Sequence, residues 1–403
     1  METSGIERCD KCEGASDRRQ GRRRRNLAGV REAGYVTVPL TSESAMGVLQ
    51  RRIRLTLLPC LMAATAASGQ EPRRVDVGSA RAAVGAKVRG AIVAAEDPDG
   101  SPLALPVVVI TGRRPGPVVW VQALSHGDEY GGARALQDIV TRLEPEQMAG
   151  TVVAVMVSNP AAFQGLQRVN PNLDDLDDLG TVFPGRDRFS TERVAAAITA
   201  SVRQARPDYF IDLHTGGDRF LEHPFVFYTH VGSVPPARYD SLALAFGIPT
   251  VWRDTTRIFP GGPTTLMSQS GVPAFLLEVG GGQPLNPDDI TLQAEAVRSF
   301  LRGAGVLPGQ ATRLARYTIV RGYRIVTNAR GGFFDAAVRP GDRIRPGTRL
   351  GTITNVFGEI VETLVAPDGA MLVLGVCTYP AWATGGWLLE LGTEVDTLEP
   401  AGR

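Results

Sequence analysis

Lysine is almost absent from these 403 residues. Lys11 and Lys87 are the only two, and Arg supplies the rest of the 43 basic side chains. An Arg count raised in this way reflects compositional bias, so it does not mark a nucleic-acid-binding face. Cysteine is also scarce, at Cys9, Cys12, Cys60 and Cys377. Cys9 and Cys12 form a C-x-x-C with no second pair and no nearby His. That is half of a zinc ribbon and reads better as part of an unstructured tail. Without the N-terminal segment Cys377 stands alone, which excludes an internal disulfide. Long apolar runs are missing too. Leu55–Ala64 is too short to span a bilayer as a permanent helix, and nothing later is longer, so no stable membrane span is expected. There is no internal repeat.

The formal net charge of +1 conceals an asymmetry. Residues 1–54 carry twelve basic and seven acidic side chains, leaving about −4 for the remainder. Residues 1–45 mix Arg, Gly, Ser and Glu without periodicity and are expected to be a disordered Arg-rich extension. Residues 46–70 read as a signal peptide, with Met46 as the true start. Arg51, Arg52 and Arg54 precede Leu55–Ala64, and small residues follow. Use of that signal implies export to a periplasmic or extracellular space; otherwise the protein is cytoplasmic.

Residues 71–312 alternate short apolar runs with amphipathic segments. The runs are Val107–Thr111, Val118–Leu124, Val152–Val157, Tyr209–Leu213, Phe225–Tyr228 and Ala274–Val279. Between them lie the helical patterns Ala133–Leu143, Glu192–Arg206 and Asp288–Leu301. This alternation predicts an α/β fold with a mainly parallel mixed sheet flanked by helices. From 313 to 403 the chain is rich in Gly and Pro, with short β-prone pieces at Tyr323–Thr327, Gly332–Phe334, Arg349–Ile353, Glu359–Leu364 and Met371–Val376. A small all-β, barrel-like domain is expected there. It resembles a lipoyl/biotinyl domain, but with no lysine after Lys87 it carries no attachment site.

Three apolar runs end in polar groups. His126-Gly127-Asp128-Glu129 follows the first, His214 ends the second and Glu278 ends the third. In open α/β sheets such strand ends form the ligand site. Two His and one Glu are a ligand set of catalytic zinc centres with an open fourth position, and Glu278 remains to move protons. Asp212, two before His214, is expected to face away. His223 and His230 lack such context. Asp174, Asp175, Asp177 and Asp178 lack the spacing of a calcium loop and read as a solvated acidic turn.

These motifs resemble the succinylglutamate desuccinylase/aspartoacylase family, relatives of the zinc carboxypeptidases, over about Pro117–Arg302. The resemblance implies a zinc-carboxypeptidase-like fold and one Zn2+ per chain held by His126, Glu129 and His214. It further implies Glu278 of Leu277-Glu278-Val279-Gly280-Gly281 as general base and acid, and Arg168 polarising the scissile carbonyl. Arg168 lies nine positions after Asn159 of Asn159-Pro160, and Phe183-Pro184-Gly185 is also present. The sequence departs from the family at Asp178-Leu179-Gly180-Thr181, where members have Asp-Leu-Asn-Arg. That Asn-Arg pair binds the substrate carboxylate, and Gly180 and Thr181 cannot replace it. Arg219, Arg253 and Arg257 are candidate substitutes, and Arg219 and Asn159 are candidate substrate contacts.

The leading expectation is zinc-dependent hydrolysis of an amide bond, removing the acyl group from an N-acyl amino acid or related amine. The alternatives are a carboxypeptidase-like peptidase and a catalytically weak binding protein that retains the fold. The expected partner is a small molecule or short peptide, not nucleic acid. The oligomeric state is not legible.

Overall fold

A computed structural model describes residues 72–400, apart from 173 and 283. The expected Arg-rich extension and signal segment fall outside these residues, as do Cys9, Cys12 and Cys60. The architecture is mixed α/β. Four parallel strands form its centre in the order Ala149–Val155, Arg114–Ala123, Tyr209–His214 and Ala274–Gly281. Apart from the exposed start of Arg114–Ala123 they are largely buried, which explains why they read as continuous apolar runs rather than alternating ones.

Helices cover both faces. Tyr130–Arg142 and Pro287–Gly303 bury Leu136, Ile139, Val297 and Phe300 on one side. Ser190–Ala205 buries Val194, Ile198 and Val202 on the other, with Trp120 and Phe210. The antiparallel strands Pro102–Thr111 and Ala86–Glu96 extend one edge. The second of these has a mixed exposure pattern and was not legible as a strand from apolar content.

The opposite edge is where the sheet departs from expectation. Phe220–Thr229 runs antiparallel to Ala274–Gly281. Its second edge is shared. Phe225–Thr229 pairs in parallel with Thr250–Asp254, while Phe220–Glu222 pairs with Met371–Cys377. Beyond Met371–Cys377 come Trp387–Thr393 and Gly322–Thr327. Part of the C-terminal all-β region therefore continues the central sheet, and 312/313 is not a boundary of that sheet. The rest forms a four-stranded sheet from Ile360–Val365, Arg349–Thr354, Gly332–Ala336 and Ala381–Trp382. Cys377 is a buried free thiol that accepts a bond from Trp382 Nε1 at 3.0 Å. No helix among the described residues is long and apolar enough to cross a membrane.

Candidate metal centre and active-site cavity

His214 and Glu278 sit opposite each other on adjacent parallel strands. His126 follows the neighbouring strand, and Glu129 stands at the N-terminus of helix Tyr130–Arg142. The turn between them needs Gly127, because a Cβ there would lie 2.1 Å from the Ala162 carbonyl carbon. His126 Nδ1 lies 2.5 Å from Glu129 Oε1, and His214 Nδ1 lies 2.9 Å from Glu129 Oε2. Candidate ligand atoms of the three residues all fall within 4.8 Å of one another.

The far nitrogen of each imidazole meets a second carboxylate. His126 Nε2 is 3.0 Å from Asp178 Oδ1, and His214 Nε2 is 3.1 Å from Asp212 Oδ2. The Asp178 carboxylate hydrogen-bonded behind the His126 ring fixes the tautomer that leaves its Nδ1 free to ligate, which is how metal-binding histidines are usually held, whereas Asp212 is close to His214 Nε2 without hydrogen-bond geometry. The donor set therefore fits a zinc ion at the two Nδ1 atoms and Glu129. Burial alone would raise the Glu129 pKa, but the two imidazoles reverse this and hold it well below the usual carboxylate range, so it is ready to ligate.

Two acidic residues are closer to this centre than the sequence suggested. Asp212 faces His214 and does not point away. Residues two apart on a strand share a face, so the signal was present. Its carboxylate accepts from Ser125 Oγ at 3.1 Å, and Ser125 is itself reached by Gln122 Nε2 at 3.3 Å. Asp178 is only partly exposed and is held by ion pairs. Besides His126, it accepts from Arg168 Nε and Nη2 at 3.1 and 3.0 Å. Asp175 is buried. Its Oδ2 accepts from Asn170, from Ser190 Oγ, and from the Thr191 amide and hydroxyl, tying the acidic segment to helix Ser190–Ala205.

These groups line a cavity of about 290 Å³. Arg168, Gly180, Thr181, Arg219 and Glu278 also face it. Arg168 Nη1 is 3.4 Å from Glu129 Oε1. Glu278 is half-buried, and its Oε1 is buried with no hydrogen-bond partner. Burial and the nearby Glu129 charge push its carboxyl well above the usual range. Asn159 does not line the cavity. Its side-chain oxygen caps helix Pro160–Gln164 through the Ala162 amide, and its Nδ2 reaches the Ser125 carbonyl. Arg253 is tied to Tyr228 and Asp240, away from the cavity. His223 and His230 also lie off it, bonded to Thr250 and to the Val234 carbonyl.

The outer wall was not anticipated. Phe225, Phe227, Trp252, Phe259, Tyr323 and Trp387 line it, together with Glu222 and Glu390. Tyr323, Trp387 and Glu390 come from the C-terminal region, and no local pattern announces that they reach the same cavity as His126.

The family model for the succinylglutamate desuccinylase/aspartoacylase catalytic domain matches residues 115–304. Over 213 residues the chain is 30% identical to N-alpha-acetyl-L-2,4-diaminobutyric acid deacetylase of Halomonas elongata, covering 51% of this chain and 60% of that relative. The chain thus spans less than two thirds of that protein's length. The product-bound ectoine utilization protein EutE of Ruegeria pomeroyi has the same fold, with a TM-score of 0.69 at 22% identity over 76% of this chain and 94% of that one. So does a succinylglutamate desuccinylase/aspartoacylase from Rhodobacter sphaeroides, with a TM-score of 0.66 at 23% identity over 76% and 96%. The family-model match and the deacetylase relative both indicate the succinylglutamate desuccinylase/aspartoacylase family for the domain at residues 115–304.

Proposed function

We propose that this protein is a zinc-dependent amidohydrolase that removes the acyl group from an N-acyl amino acid or related amine. One observation carries the reading. Two imidazole Nδ1 atoms and a carboxylate converge in the cavity, beside the Glu278 carboxyl, whose buried Oε1 has no hydrogen-bond partner. The diaminobutyrate deacetylase relative, an amide hydrolase by its name, supports the reaction class.

His126, Glu129 and His214 would hold the zinc, which when bound makes water more acidic and polarises a carbonyl. Glu278 accepts the proton of the attacking water at Oε1 and passes it to the departing nitrogen. Its carboxyl, held above the usual range by burial and the Glu129 charge, suits a group that must hold and release a proton. The Arg168 guanidinium, beside Glu129, stabilises the oxyanion that develops on the attacked carbonyl. Asp178 and Asp212 position the two imidazoles. Gly180 and Thr181 leave the subsite at that wall without the carboxylate-binding pair of relatives. Arg219 is the cation that replaces it, since it lines the cavity.

Elemental analysis tests the reading together with a hydrolysis screen over N-acyl amino acids, N-acyl amines and short peptides. The expected result is about one zinc per chain, consistent with a single open catalytic site. His214→Ala should lose metal and activity together. A metal-free protein with full activity would remove the zinc reading, and turnover confined to peptides would replace the deacylase by a peptidase.

A further inference from the structure

The outer wall of the cavity holds two carboxylates that this hydrolytic reading leaves unused. Glu222 and Glu390 both lie opposite Gly375, on the strands that flank Met371–Cys377. Directly opposed residues of antiparallel strands project to the same face. The two glutamates therefore flank a position that has no side chain. A Cβ at Gly375 would lie 2.4 Å from Glu222 Oε1 and 2.5 Å from Oε2, so the Glu222 carboxylate occupies the space that this glycine leaves open.

Glu222 is 5% exposed, and its Oε2 has no hydrogen-bond partner. Arg168, whose charge reaches Glu390, is committed to Asp178 and Glu129. Burial, with the neighbouring Glu390 and Glu278 charges, pushes Glu222 well above the usual carboxylate range, and burial pushes Glu390 up to about 7. Buried carboxyls without a counter-charge are costly to ionise, and a cation entering the cavity removes that cost.

The surroundings decide which cation. Trp252 stacks on Tyr323 with ring centroids 4.6 Å apart, and Phe225, Phe227 and Trp387 complete the wall. Hard divalent cations take six or more oxygen ligands, and among aromatic side chains these two carboxylates supply only part of such a shell. Among the described residues, the only group of three metal-binding side chains is His126, Glu129 and His214. An organic ammonium suits aromatic faces beside carboxylates.

We propose that Glu222 and Glu390 form a subsite for a protonated amine on the substrate, remote from the scissile bond. Resting on the amidohydrolase reading, this makes the substrate class an N-acylated molecule that carries a second, cationic amino group.

The test uses zinc-loaded full-length enzyme and near-isosteric substrate pairs: Nα-acetyl-2,4-diaminobutyrate against Nα-acetylnorvaline, and Nα-acetylornithine against Nα-acetylnorleucine. The expected preference for the ammonium member in kcat/KM is about ten- to a hundredfold, the scale of a charge-assisted hydrogen bond. Glu222→Gln and Glu390→Gln should each pull the ratio towards one. So should Gly375→Ala, which keeps both carboxylates but crowds Glu222. A ratio already near one in the wild type, or one that stays high while both members slow equally, would overturn the subsite. Calorimetric titration with 1,4-diaminobutane reads the same site without turnover. Binding that is lost in Glu222→Gln supports the proposal even if no amide is cleaved, in which case only the amidohydrolase reading fails. No binding overturns the subsite, as does a second divalent ion per chain that Glu222→Gln removes.

Discussion

At the residue scale, the site is an arrangement of carboxylates sorted by their surroundings. Glu129 is held ionised between two imidazoles, whereas Glu278 is driven towards its protonated form by burial and by Glu129. In the proposed mechanism ligand and proton carrier are thereby separated, although both are glutamates lining one cavity. Glu278→Gln should then keep its zinc while kcat falls about 10²-fold or more, the scale of a positioned acid/base. Loss of zinc in that variant would make Glu278 a ligand instead. Arg219 provides a second test. Arg219→Ala should raise KM for N-acyl amino acids about ten- to a hundredfold, without a matching change for their carboxamides, if its guanidinium binds the carboxylate. An unchanged ratio of acid to carboxamide would show that the substrate makes no such contact. Asp212 is readable from the sequence in principle, since period-two geometry places it with His214. Asp178 is not, because its contact with His126 spans 52 positions of chain.

At the scale of elements, strand Phe220–Thr229 joins the two regions and carries Glu222 and His223 on successive positions. His223 Nε2 lies 2.8 Å from Thr250 Oγ1, next to the fork where the strand changes partners. Burial lowers its pKa below the ordinary 6.5. The unfolded chain therefore takes up a proton near pH 6.5 while the folded chain still resists it. Stability should be flat with respect to this group above that pH and should fall as the pH drops below it, by at most about 1.4 kcal/mol per pH unit. Urea midpoints measured for wild type and His223→Gln from pH 7.5 to 5 check this, because the variant should lose that part of the acid sensitivity. Equal slopes would place the sensitivity elsewhere.

For the molecule as a whole, the sheet does not stop where the sequence texture changes. Phe225, Phe227 and Trp252 pack with Val320, Leu372 and Leu374 in one buried cluster drawn from both sides of residue 313. The described body should therefore unfold in one calorimetric transition, and a chain ending at Thr312 should be insoluble because that cluster and the edge of Phe220–Thr229 would be uncovered. Two separate transitions, or a soluble and active truncation, would show that the regions are independent. Export is a further expectation at this scale. Protein recovered from its native host should begin near Ser68–Glu71 if residues 46–70 are a cleaved signal.

The sequence by itself determined the local elements and the chemistry they deliver. Apolar runs, helical periodicity and turn residues are set by short-range sterics and burial, so the strands that lead to His126, His214 and Glu278 are legible from residue order alone. So are five of the ten strands described after residue 313, but Trp387–Thr393 is among the five that are not, and Glu390 is missed with it. Only the tertiary structure decided which distant side chains share the cavity. Glu222 and Glu390 meet across Gly375 through strand register, a pairing fixed by the packing of the whole sheet. For the same reason Asn159, which motif spacing placed in the substrate site, caps a helix instead: its side-chain oxygen accepts from the Ala162 amide and its Nδ2 reaches the distant Ser125 carbonyl.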